Sequence, residues 1–414
     1  MSSSSASCER TEPEDRRDSP MSYLQLPYVH WSIAVLGLAC LGTAACYSVL
    51  TLTAVLVWRL RRPTLHPRIM PPVTLLKPLC GAEHGLYDRL RSFCQQDYRQ
   101  FQIVFGVRDP DDPALIVVQR LQQEFPALPI EVVASPQLHG SNYKISNLIN
   151  MVAQARHDVL IIADSDTFVG PDYLRSVTAP LLDRSVGLVT CPYRDVPTAR
   201  IWSRLGAMYI NEWYMPSVLF AWLFGGGCYA SGQTLCLRRQ TLEAVGGFQA
   251  VTNHLADDHR LGELIRSTGL KIVLSPTAVQ AVHDEPDLDA LTRHELRWMR
   301  TIHKLRPWSF RLIFLTFSLP MAIAGFALSA AAAEPMFTLT ARWLLAIVLA
   351  ARLGVHFAHR IQSNQAADRS ALADLWLVPV RDALLGWYWF VSFLSSRISW
   401  RGGEFNVDAD GIMH

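Results

Sequence analysis

The sequence places two carboxylates one residue apart, directly after a run of apolar residues. Residues 159–163 are Val-Leu-Ile-Ile-Ala, and Asp164 and Asp166 follow them. Such a run is typical of a buried strand, and open α/β sheets bind ligands at the carboxyl ends of their strands. Acids in this position also form simple Asx-type turns. We predict a metal site at Asp164 and Asp166, because two carboxylates can hold a divalent cation together with diphosphate oxygens.

Two further acidic segments are candidates for binding and for proton transfer. Asp109 follows an apolar strand and is predicted to contact the base or ribose of a nucleotide, whereas Asp112, before Pro113, is predicted to cap a helix. Asp257 and Asp258 precede a helical pattern. One interpretation is that they interact with the helix dipole. The other is that one of them is a general base, which takes a proton from an acceptor hydroxyl.

A basic and aromatic segment precedes the apolar C-terminal third of the chain. Within residues 293–304, Arg297 is suited to binding a diphosphate and Trp298 to lining an acceptor channel. The alternative is a juxtamembrane helix that binds anionic lipid headgroups. Further cations of this region fit that alternative: Arg300, Lys304, Arg306 and Arg311.

These candidate residues need a scaffold of alternating strands and helices. Apolar periodicity predicts strands at residues 73–76, 101–107, 130–134 and 159–163, and helices at residues 86–96, 114–125 and 145–155. This order predicts a parallel sheet with helices on both faces. No GxGxxG motif follows the first strand and no GxxxxGK[ST] motif occurs, which argues against nicotinamide-binding and P-loop folds.

Apolar segments near both ends of the chain are long enough to cross a bilayer. Residues 31–58 are almost uncharged, and a signal peptide is disfavoured because no small-residue cleavage site follows them. Residues 310–333 and 337–358 are predicted as two more spans, and residues 375–394 as a further, less regular one. The region after the first span is predicted to be cytoplasmic, since arginines follow it: Arg59, Arg61, Arg62 and Arg68.

Two segments have more than one interpretation. The adjacent charges Arg381 and Asp382, inside the last apolar stretch, predict a partner within a helix bundle, a polar cavity or a helix at the membrane interface. Residues 206–231 are rich in glycine and aromatic residues. They form either a buried core helix or a segment that dips into the membrane surface beside the site, where a lipid acceptor would enter.

Composition limits the remaining possibilities. The net charge of +2 gives no electrostatic case for nucleic acid binding, and the 8 cysteines form no CxxC pair, so neither a zinc site nor a disulfide framework is expected. The predicted organisation is a disordered tail (residues 1–30), an anchor (31–58), a catalytic domain (59–307), a membrane bundle (308–400) and a tail (401–414).

In order and spacing, the candidate residues resemble those of the ceramide glucosyltransferase family, which are membrane-bound, inverting glycosyltransferases with a GT-A fold. The family pattern is an early Asp, an Asp-containing strand end, a catalytic Asp and a final (Q/R)xxRW motif. Segments 75–79, 111–114, 144–148 and 398–401 also look similar, so the resemblance covers residues 73–401. The chain departs from the pattern at His294, the first position of the last motif.

The resemblance implies a role for each matching residue. Asp258 is implied to be the catalytic base, and Asp164 and Asp166 the ligands of Mg²⁺ or Mn²⁺. The other implied contacts are those to the nucleotide sugar, from Asp109, Asp164 and Lys144, and those to the diphosphate or acceptor, from His294, Arg297 and Trp298.

Within that family, segments 139–144, 147–151 and 294–298 look most like those of bacterial hopanoid-biosynthesis glycosyltransferases. The implied reaction transfers a hexose from UDP-N-acetylglucosamine or UDP-glucose to a hopanoid polyol, with ceramide as the alternative acceptor. Lysine is rare beside arginine, which is typical of a GC-rich bacterial genome. We therefore expect a multi-pass protein of the bacterial inner membrane. Its catalytic domain is expected to lie in the cytoplasm and its apolar helices in the lipid bilayer.

Other functions are less consistent with the sequence. A processive polysaccharide synthase shares the aspartates and an RW motif but needs a membrane channel, for which three or four spans are few. A transporter is expected to show more spans and paired repeats. A non-catalytic scaffold is expected to have lost one of the carboxylates, and all of them are present.

Overall fold

The computed structural model of the protein describes most of the chain: residues 21–61, 70–226, 229–331, 334–358, 369–395, 397–400, 403–408 and 410–413. Some of the predictions above lie outside these residues. They are the disorder of residues 1–20 and the arginines Arg62 and Arg68.

Helices and strands alternate through the middle of the chain and helices dominate both ends. The strands of the described residues are β1 Val73–Pro78, β2 Phe101–Val107, β3 Ile130–Ala134, β4 Val159–Ile162, β5 Thr167–Phe168, β6 Val186–Thr190, β7 Tyr193–Asp195, β8 Leu235–Arg238, β9 Lys271–Leu274, β10 Val279–Ala281, β11 Arg397–Trp400 and β12 Gly403–Asn406. The helices are α1 Met21–Leu60, α2 Leu86–Cys94, α3 Ala114–Glu124, α4 Tyr143–Val152, α5 Tyr173–Thr178, α6 Ile201–Tyr209, α7 Met215–Leu223, α8 Arg239–Ala244, α9 Asp257–Ser267, α10 Leu288–Leu305, α11 Pro307–Leu312, α12 Ser318–Ala331, α13 Pro335–Ala358, α14 Arg369–Ala373 and α15 Leu377–Ser392.

A seven-stranded sheet, in the order β3-β2-β1-β4-β8-β6-β9, carries the site. The first four strands of that order are parallel, as the sequence predicted, and the α/β class is confirmed. β8 was not predicted, and it runs antiparallel to both β4 and β6, so the sheet is mixed. Strand order reverses at β1, which pairs with β2 on one side and β4 on the other; ligands of α/β sheets bind at such a switch point.

Helices cover both faces of the sheet because each presents an apolar stripe to it. On one face, α2 and α3 bury Leu90 and Val118 in a cluster with Leu75 of β1. On the other face, α4 buries Leu148 against Leu76, the next residue of β1. Alternate side chains of one strand thus serve two cores, which is why the adjacent residues Leu75 and Leu76 are both fully buried.

The membrane-type helices differ in part from those predicted. Among the described residues, His30–Leu60 and Pro335–Ala358 are long and apolar enough to cross a bilayer. The N-terminal helix begins at Met21, so the predicted disorder of residues 21–30 is wrong. Residues 310–333 do not form one straight span: the helical segments Pro307–Thr316 and Ser318–Ala331 meet at 67°.

The last apolar stretch is a 16-residue helix, α15, that is tied to its surroundings by buried ion pairs. Arg381 pairs with Glu295 of α10, and Asp382 pairs with Arg352 of α13. A partner inside the bundle is therefore confirmed for Asp382, whereas the partner of Arg381 lies on α10, before the bundle. Because burying a lone charge is costly, these pairs hold α15 in one position relative to both helices.

Residues 206–226 join the core of the catalytic domain to the anchor helix: Tyr209, Ile210 and Met215 are buried in the main core cluster, and the following helix contacts α1. They form the end of α6, a π-helical turn Ile210–Tyr214 and α7. Leu219 of α7 lies in an apolar cluster with Ala54 and Trp58 of α1, and the Tyr47 hydroxyl of α1 lies 2.8 Å from Ser217 Oγ. Phe224, at the end of α7, is 60% exposed. The buried first part agrees with the core interpretation, while the surface-dipping interpretation of the part around α7 stays a prediction.

Candidate active site

A cavity of about 1000 Å³ opens at the carboxyl ends of β1, β2 and β4. Its lining runs from the strand-end residues Cys80 and Asp109 to the helical residues Tyr214 and Leu305. Each candidate residue named from the sequence lies in its wall: Asp109, Lys144, Asp164, Asp166, Asp258, His294, Arg297 and Trp298. The sheet and α10 thus place residues that are up to 189 positions apart in the chain, Asp109 and Trp298, around the same cavity.

Asp164 and Asp257 share one lysine. Lys144 Nζ lies 2.8 Å from Asp164 Oδ1 and 3.4 Å from Asp257 Oδ2. Burial would lower the pKa of Lys144, but the charges of Asp164, Asp257 and Asp258 outweigh it and raise the pKa. The side chain of Asn142, which caps α4, also donates to Asp257 Oδ1 at 3.3 Å. Lys144 is therefore an ammonium ion, placed between the strand-end acid and the first turn of α9.

Asp258 accepts a hydrogen bond from a glycine backbone close to Lys144. The N–H of Gly232 donates to Asp258 Oδ2 at 2.7 Å. A Cβ added at Gly232 would lie only 2.7 Å from Asp164 Oδ2, so a larger residue here would collide with the carboxylate. Gly232 thus lies between the two acids. The two neighbouring acids of α9 face different partners, as expected for adjacent positions about 100° apart around a helix.

Asp166 is bonded to a histidine that the sequence analysis missed. His283 Nε2 lies 3.2 Å from Asp166 Oδ2, and its Nδ1 lies 3.0 Å from Asp195 Oδ2. Burial would lower the pKa of His283, but Asp195 and Asp166 outweigh it and raise the pKa well above its usual range. Burial would raise the pKa of Asp166, and His283 lowers it to about 2. The imidazolium supplies positive charge where the carboxylates are concentrated.

His283 could have been found from the sequence by the reasoning used for Asp164. It comes two residues after β10, and Asp195 is the last residue of β7, the parallel neighbour of β10. These strands are three residues long, too short to stand out as apolar runs. Lys77, at the end of β1, was also missed; its Nζ donates to the Asp164 carbonyl oxygen at 2.6 Å, and burial lowers its pKa to about 7.

His294 and Trp298 lie one turn apart on α10 and form the aromatic part of the wall. Their ring centroids are 4.1 Å apart, and Trp298 stacks on Tyr209 at 5.4 Å. Glu285 Oε1 lies 2.5 Å from His294 Nδ1. Burial lowers the pKa of His294 to about 4 despite this carboxylate, so the ring is neutral near pH 7. A neutral imidazole can form hydrogen bonds with hydroxyl groups.

The opposite end of the cavity is polar and more open. Asp109 is exposed, and one of its oxygens accepts the N–H of Asp111 at 2.9 Å. Asp112 is buried and accepts the N–H of Ala114, the first residue of α3, at 2.8 Å, which agrees with the capping role predicted for it. The guanidinium of Arg108 lies 4.6 Å from the ring centre of Tyr143, and both line this end of the cavity.

The donor chemistry of this site fits a divalent cation bound jointly with phosphates. Asp164 and Asp166 provide carboxylate oxygens, and His283, bonded to Asp166 as an imidazolium, orients one of them. Among the described residues, no three His, Cys, Asp or Glu side chains are arranged as a complete metal site. Mg²⁺ commonly keeps a few protein carboxylates and takes its other oxygens from substrate phosphates and water, so two carboxylates suffice.

Comparison with known proteins gives the family. The family "Glycosyl transferase family 21" matches residues 37–413, and the chain belongs to it. This match confirms the resemblance predicted from the sequence. Together with the sheet described above, it supports the predicted GT-A assignment and the predicted class of enzyme, a glycosyltransferase.

The curated relatives of the chain are distant in sequence. Ceramide glucosyltransferase 1 of Caenorhabditis elegans is 25% identical over 250 residues, which are 58% of this chain and 53% of that protein. The ceramide glucosyltransferase of Komagataella phaffii is 31% identical over 132 residues, 30% of this chain and 26% of that protein. For the first of them, the matched part is about half the length of the curated relative.

Among solved structures, the chain is similar to the mannosyltransferase PcManGT from Pyrobaculum calidifontis, which was determined in complex with GDP-Man and Mn²⁺. The identity is 20% and the TM-score 0.47, and the match covers 87% of this chain and 98% of the other.

Proposed function

We propose that the protein transfers a hexose from a nucleotide-diphosphate sugar to the hydroxyl group of a membrane lipid. The observation that carries this proposal is the single cavity at the switch point of the sheet. Its polar end holds Asp109, its centre holds Asp164, Asp166 and Asp258, and its aromatic end contains Trp298. The polar end is suited to the nucleotide, the centre to the sugar and diphosphate, and the aromatic end to the acceptor.

Asp258 acts as the base of a single displacement. The acceptor oxygen attacks the anomeric carbon, the bond from that carbon to the diphosphate oxygen breaks, and the acceptor proton passes to Asp258. Attack from the side opposite the leaving group inverts the anomeric configuration. Lys144, as a cation beside Asp164, binds the charge that develops on the diphosphate.

A divalent cation, Mg²⁺ or Mn²⁺, would be held by Asp164 and Asp166 and would neutralise the leaving diphosphate. The need for it is electrostatic. Four aspartates lie at the cavity centre, and a diphosphate would bring further negative charge to them, although cations such as Lys144 and Arg297 also line the cavity. The strand ends alone are therefore poorly suited to binding the donor without additional positive charge.

We expect Asp166→Asn to weaken binding of the nucleotide-sugar donor about 10- to 100-fold, the usual cost of disturbing a metal site. The loss should shrink as Mn²⁺ is raised, because a weaker site fills at higher metal concentration. Donor affinity is measured by calorimetry at several Mn²⁺ concentrations and in excess EDTA. Asp172→Asn, an acid at the start of α5 with a 54% exposed side chain, is the control. Undiminished donor binding and full activity in EDTA would show that the site needs no metal.

Ceramide is the acceptor that the comparisons favour, because the relatives reported above are ceramide glucosyltransferases. The hopanoid polyol implied by segments such as 139–144 receives no support from them and remains the second candidate. Incubation of the purified protein with ceramide, a hopanoid polyol and labelled UDP-glucose or UDP-N-acetylglucosamine, followed by mass spectrometry of the lipids, identifies both substrates. Absence of labelled lipid under every combination would contradict the proposed function.

The acceptor is proposed to reach the site from the bilayer, along the segment that joins the cavity to the anchor helix. Tyr214 and Trp298 line the cavity, while Trp213, the neighbour of Tyr214, donates from Nε1 to Thr316 Oγ1 at 3.0 Å, before α12. A lipid whose apolar body stays beside α1 and α12 could thus present its hydroxyl to Asp258. This arrangement also underlies the proposal that the chain is a multi-pass protein with its catalytic domain on the cytoplasmic side.

We expect Tyr214→Ala to raise the KM for the lipid acceptor about tenfold, since one aromatic contact is worth about 0.5–1.5 kcal/mol beyond its buried area. The KM for the donor should change less than twofold, because Tyr214 lies at the other end of the cavity. Steady-state kinetics in lipid nanodiscs measure both constants. Tyr87→Ala, on α2 and outside the cavity, is the control. Equal effects on both substrates would contradict an acceptor route along this wall.

A further inference from the structure

The chain returns from the membrane bundle to the active site after α15. We name residues 397–413 the return segment; residues 401, 402 and 409 within it lie outside the described part of the chain. Its first half is a hairpin in which β11 pairs with β12, with Ile398 opposite Phe405. Arg300 of α10 donates from Nη1 to the Arg397 carbonyl oxygen at 2.7 Å. The hairpin is thereby attached to the helix that carries His294 and Trp298.

The second half of the return segment pairs with the loop that precedes the catalytic acids. The N–H of Leu255 donates to the Gly411 carbonyl oxygen at 3.0 Å, and the N–H of Met413 donates to the Asn253 carbonyl oxygen at 2.9 Å. These bonds form an antiparallel bridge between His254 and Ile412. The loop at residues 253–255 is thus held by two backbone hydrogen bonds to the return segment.

Apolar side chains reinforce this pairing. Leu255, Ile398, Val407 and Met413 form a small buried cluster in which none is more than 9% exposed. Leu255 also lines the cavity, and the chain continues from it through Ala256 into α9. The position of the first turn of α9, which holds both catalytic-site acids, therefore depends on the anchoring of Leu255.

The same loop also fixes the donor side of the site. The N–H of Asn142 donates to the Thr252 carbonyl oxygen at 2.8 Å, and its side chain donates to the His254 carbonyl oxygen at 2.9 Å. Asn142 caps α4, two residues before Lys144. Ser141 Oγ donates to the Met413 carbonyl oxygen at 3.3 Å. The loop, the start of α4 and the return segment thus form one hydrogen-bonded unit.

Gly411 is the residue at which this unit meets α10. Its φ is +80°, a conformation that favours glycine, and a Cβ added there would lie 2.6 Å from Leu305 Cδ2. Leu305 lines the cavity at its aromatic end. A larger residue would therefore strain the backbone of Gly411, whose carbonyl oxygen bonds Leu255, and would force the Leu305 side chain to move.

We propose that the return segment is a positioning element of the active site, which holds the loop before α9 so that Asp258 stays directed into the cavity. Gly411 and Met413 are its positioning residues: they contact neither substrate and act through Leu255 and Asn253. Residues 401–414 were predicted to be a C-terminal tail. Those of them that the structure describes instead pack against the loop before α9. The kinetic part of this inference depends on the proposed function, whereas the structural part does not.

The test compares Gly411→Val with Gly269→Val in the full-length protein. Gly269, at the end of α9, also has a positive φ (+84°), but nothing lies within 4 Å of an added Cβ, so it reproduces the backbone strain alone. Hydrogen exchange of residues 253–260 and steady-state kinetics are measured for both variants. We expect faster exchange and a roughly 10- to 100-fold lower kcat in Gly411→Val only, since misplacement by about 1 Å can cost 10²-fold. The donor KM should change less than threefold.

A second pair of variants covers the case in which Gly411→Val does not fold. Met413→Pro removes the N–H that donates to Asn253, whereas Met413→Leu keeps that N–H and the apolar contact. Exchange in residues 253–260 should rise in the proline variant and stay at the wild-type rate in the leucine variant, with kcat following the same order. Unchanged exchange in Gly411→Val and Met413→Pro, or faster exchange with wild-type kcat, would overturn the proposal. If no acceptor supports turnover, the proposed function fails, and the exchange rates alone decide whether the return segment holds the loop.

Discussion

Asp258→Asn is expected to lower the turnover of sugar transfer by about 10²–10⁴-fold, the usual contribution of general base catalysis. Donor affinity should stay within about threefold of wild type. An amide has nearly the shape of the carboxylate, and its oxygen can still accept the N–H of Gly232, which Asp258 Oδ2 accepts at 2.7 Å. What it cannot do is accept the proton of a lipid hydroxyl. A group needed only in the transition state affects kcat and kcat/KM together and leaves donor binding intact.

The matched control is Asp257→Asn in the same purified protein. Asp257 is 8% exposed and bonded to Lys144 and Asn142, so its loss should weaken the packing of α9 and the binding of the donor more than the proton transfer. Calorimetry with the nucleotide sugar and single-turnover kinetics separate the two effects. Wild-type turnover in Asp258→Asn, or retention of the anomeric configuration in the product, would rule out Asp258 as the base of an inverting reaction.

Arg381→Met is expected to destabilise the protein by about 3–5 kcal/mol, the usual cost of leaving one partner of a buried ion pair alone. Arg381 Nη1 lies 2.5 Å from Glu295 Oε1 and Nη2 lies 2.7 Å from Oε2, and neither side chain is more than 2% exposed. Methionine would leave the Glu295 carboxylate without its cation. Burial already raises the pKa of Glu295, so the acid would take up a proton or draw in water, and α10 would lose its tie to α15.

Two further variants show whether the cost arises from the lone charge. The double variant Glu295→Met with Arg381→Met removes both charges and should recover most of the lost stability, because buried pairs are often replaceable by apolar residues. Arg293→Met, on α10 with Glu295, breaks an exposed ion pair with Asp289. It should lower the free energy of unfolding by less than about 1 kcal/mol. Thermal and denaturant unfolding in detergent measure all of them. A double variant as unstable as Arg381→Met would show that the side-chain volumes, and not the charges, matter.

The parts of the fold that could be predicted are the strands and helices whose apolar residues recur with a regular local period. The strands at residues 101–107 and 130–134 were predicted at their observed bounds, because each is an apolar, β-branched run between turn residues, although only the first is fully buried. The antiparallel β8 and the short strands β7 and β10 were missed, since their pairing is decided by distant partners. The partner of Arg381 is Glu295, 86 positions away, and no local pattern identifies it.

The candidate site shows the same division. Acids that follow long apolar strands, such as Asp164 and Asp166, were recognised, and α10 was recognised from its basic and aromatic motif. His283 and Gly232 were not, because a histidine after a three-residue strand and a glycine in a turn have no distinctive signal until the fold brings them beside the acids. The roles of all these residues remain predictions for the experiments above.

The hydrogen bond between Leu255 and Gly411 joins two segments that leave the ribosome far apart in time. At translation rates of about 5–20 residues per second, on the order of 10–30 s separate their synthesis. During that interval the strand-end acids already exist, but the loop before α9 lacks its partner. If the return segment has the proposed role, the nascent chain would be unable to carry out transfer until its apolar helices and residues 397–413 have been made, and catalysis would begin only after the apolar helices could have entered a bilayer.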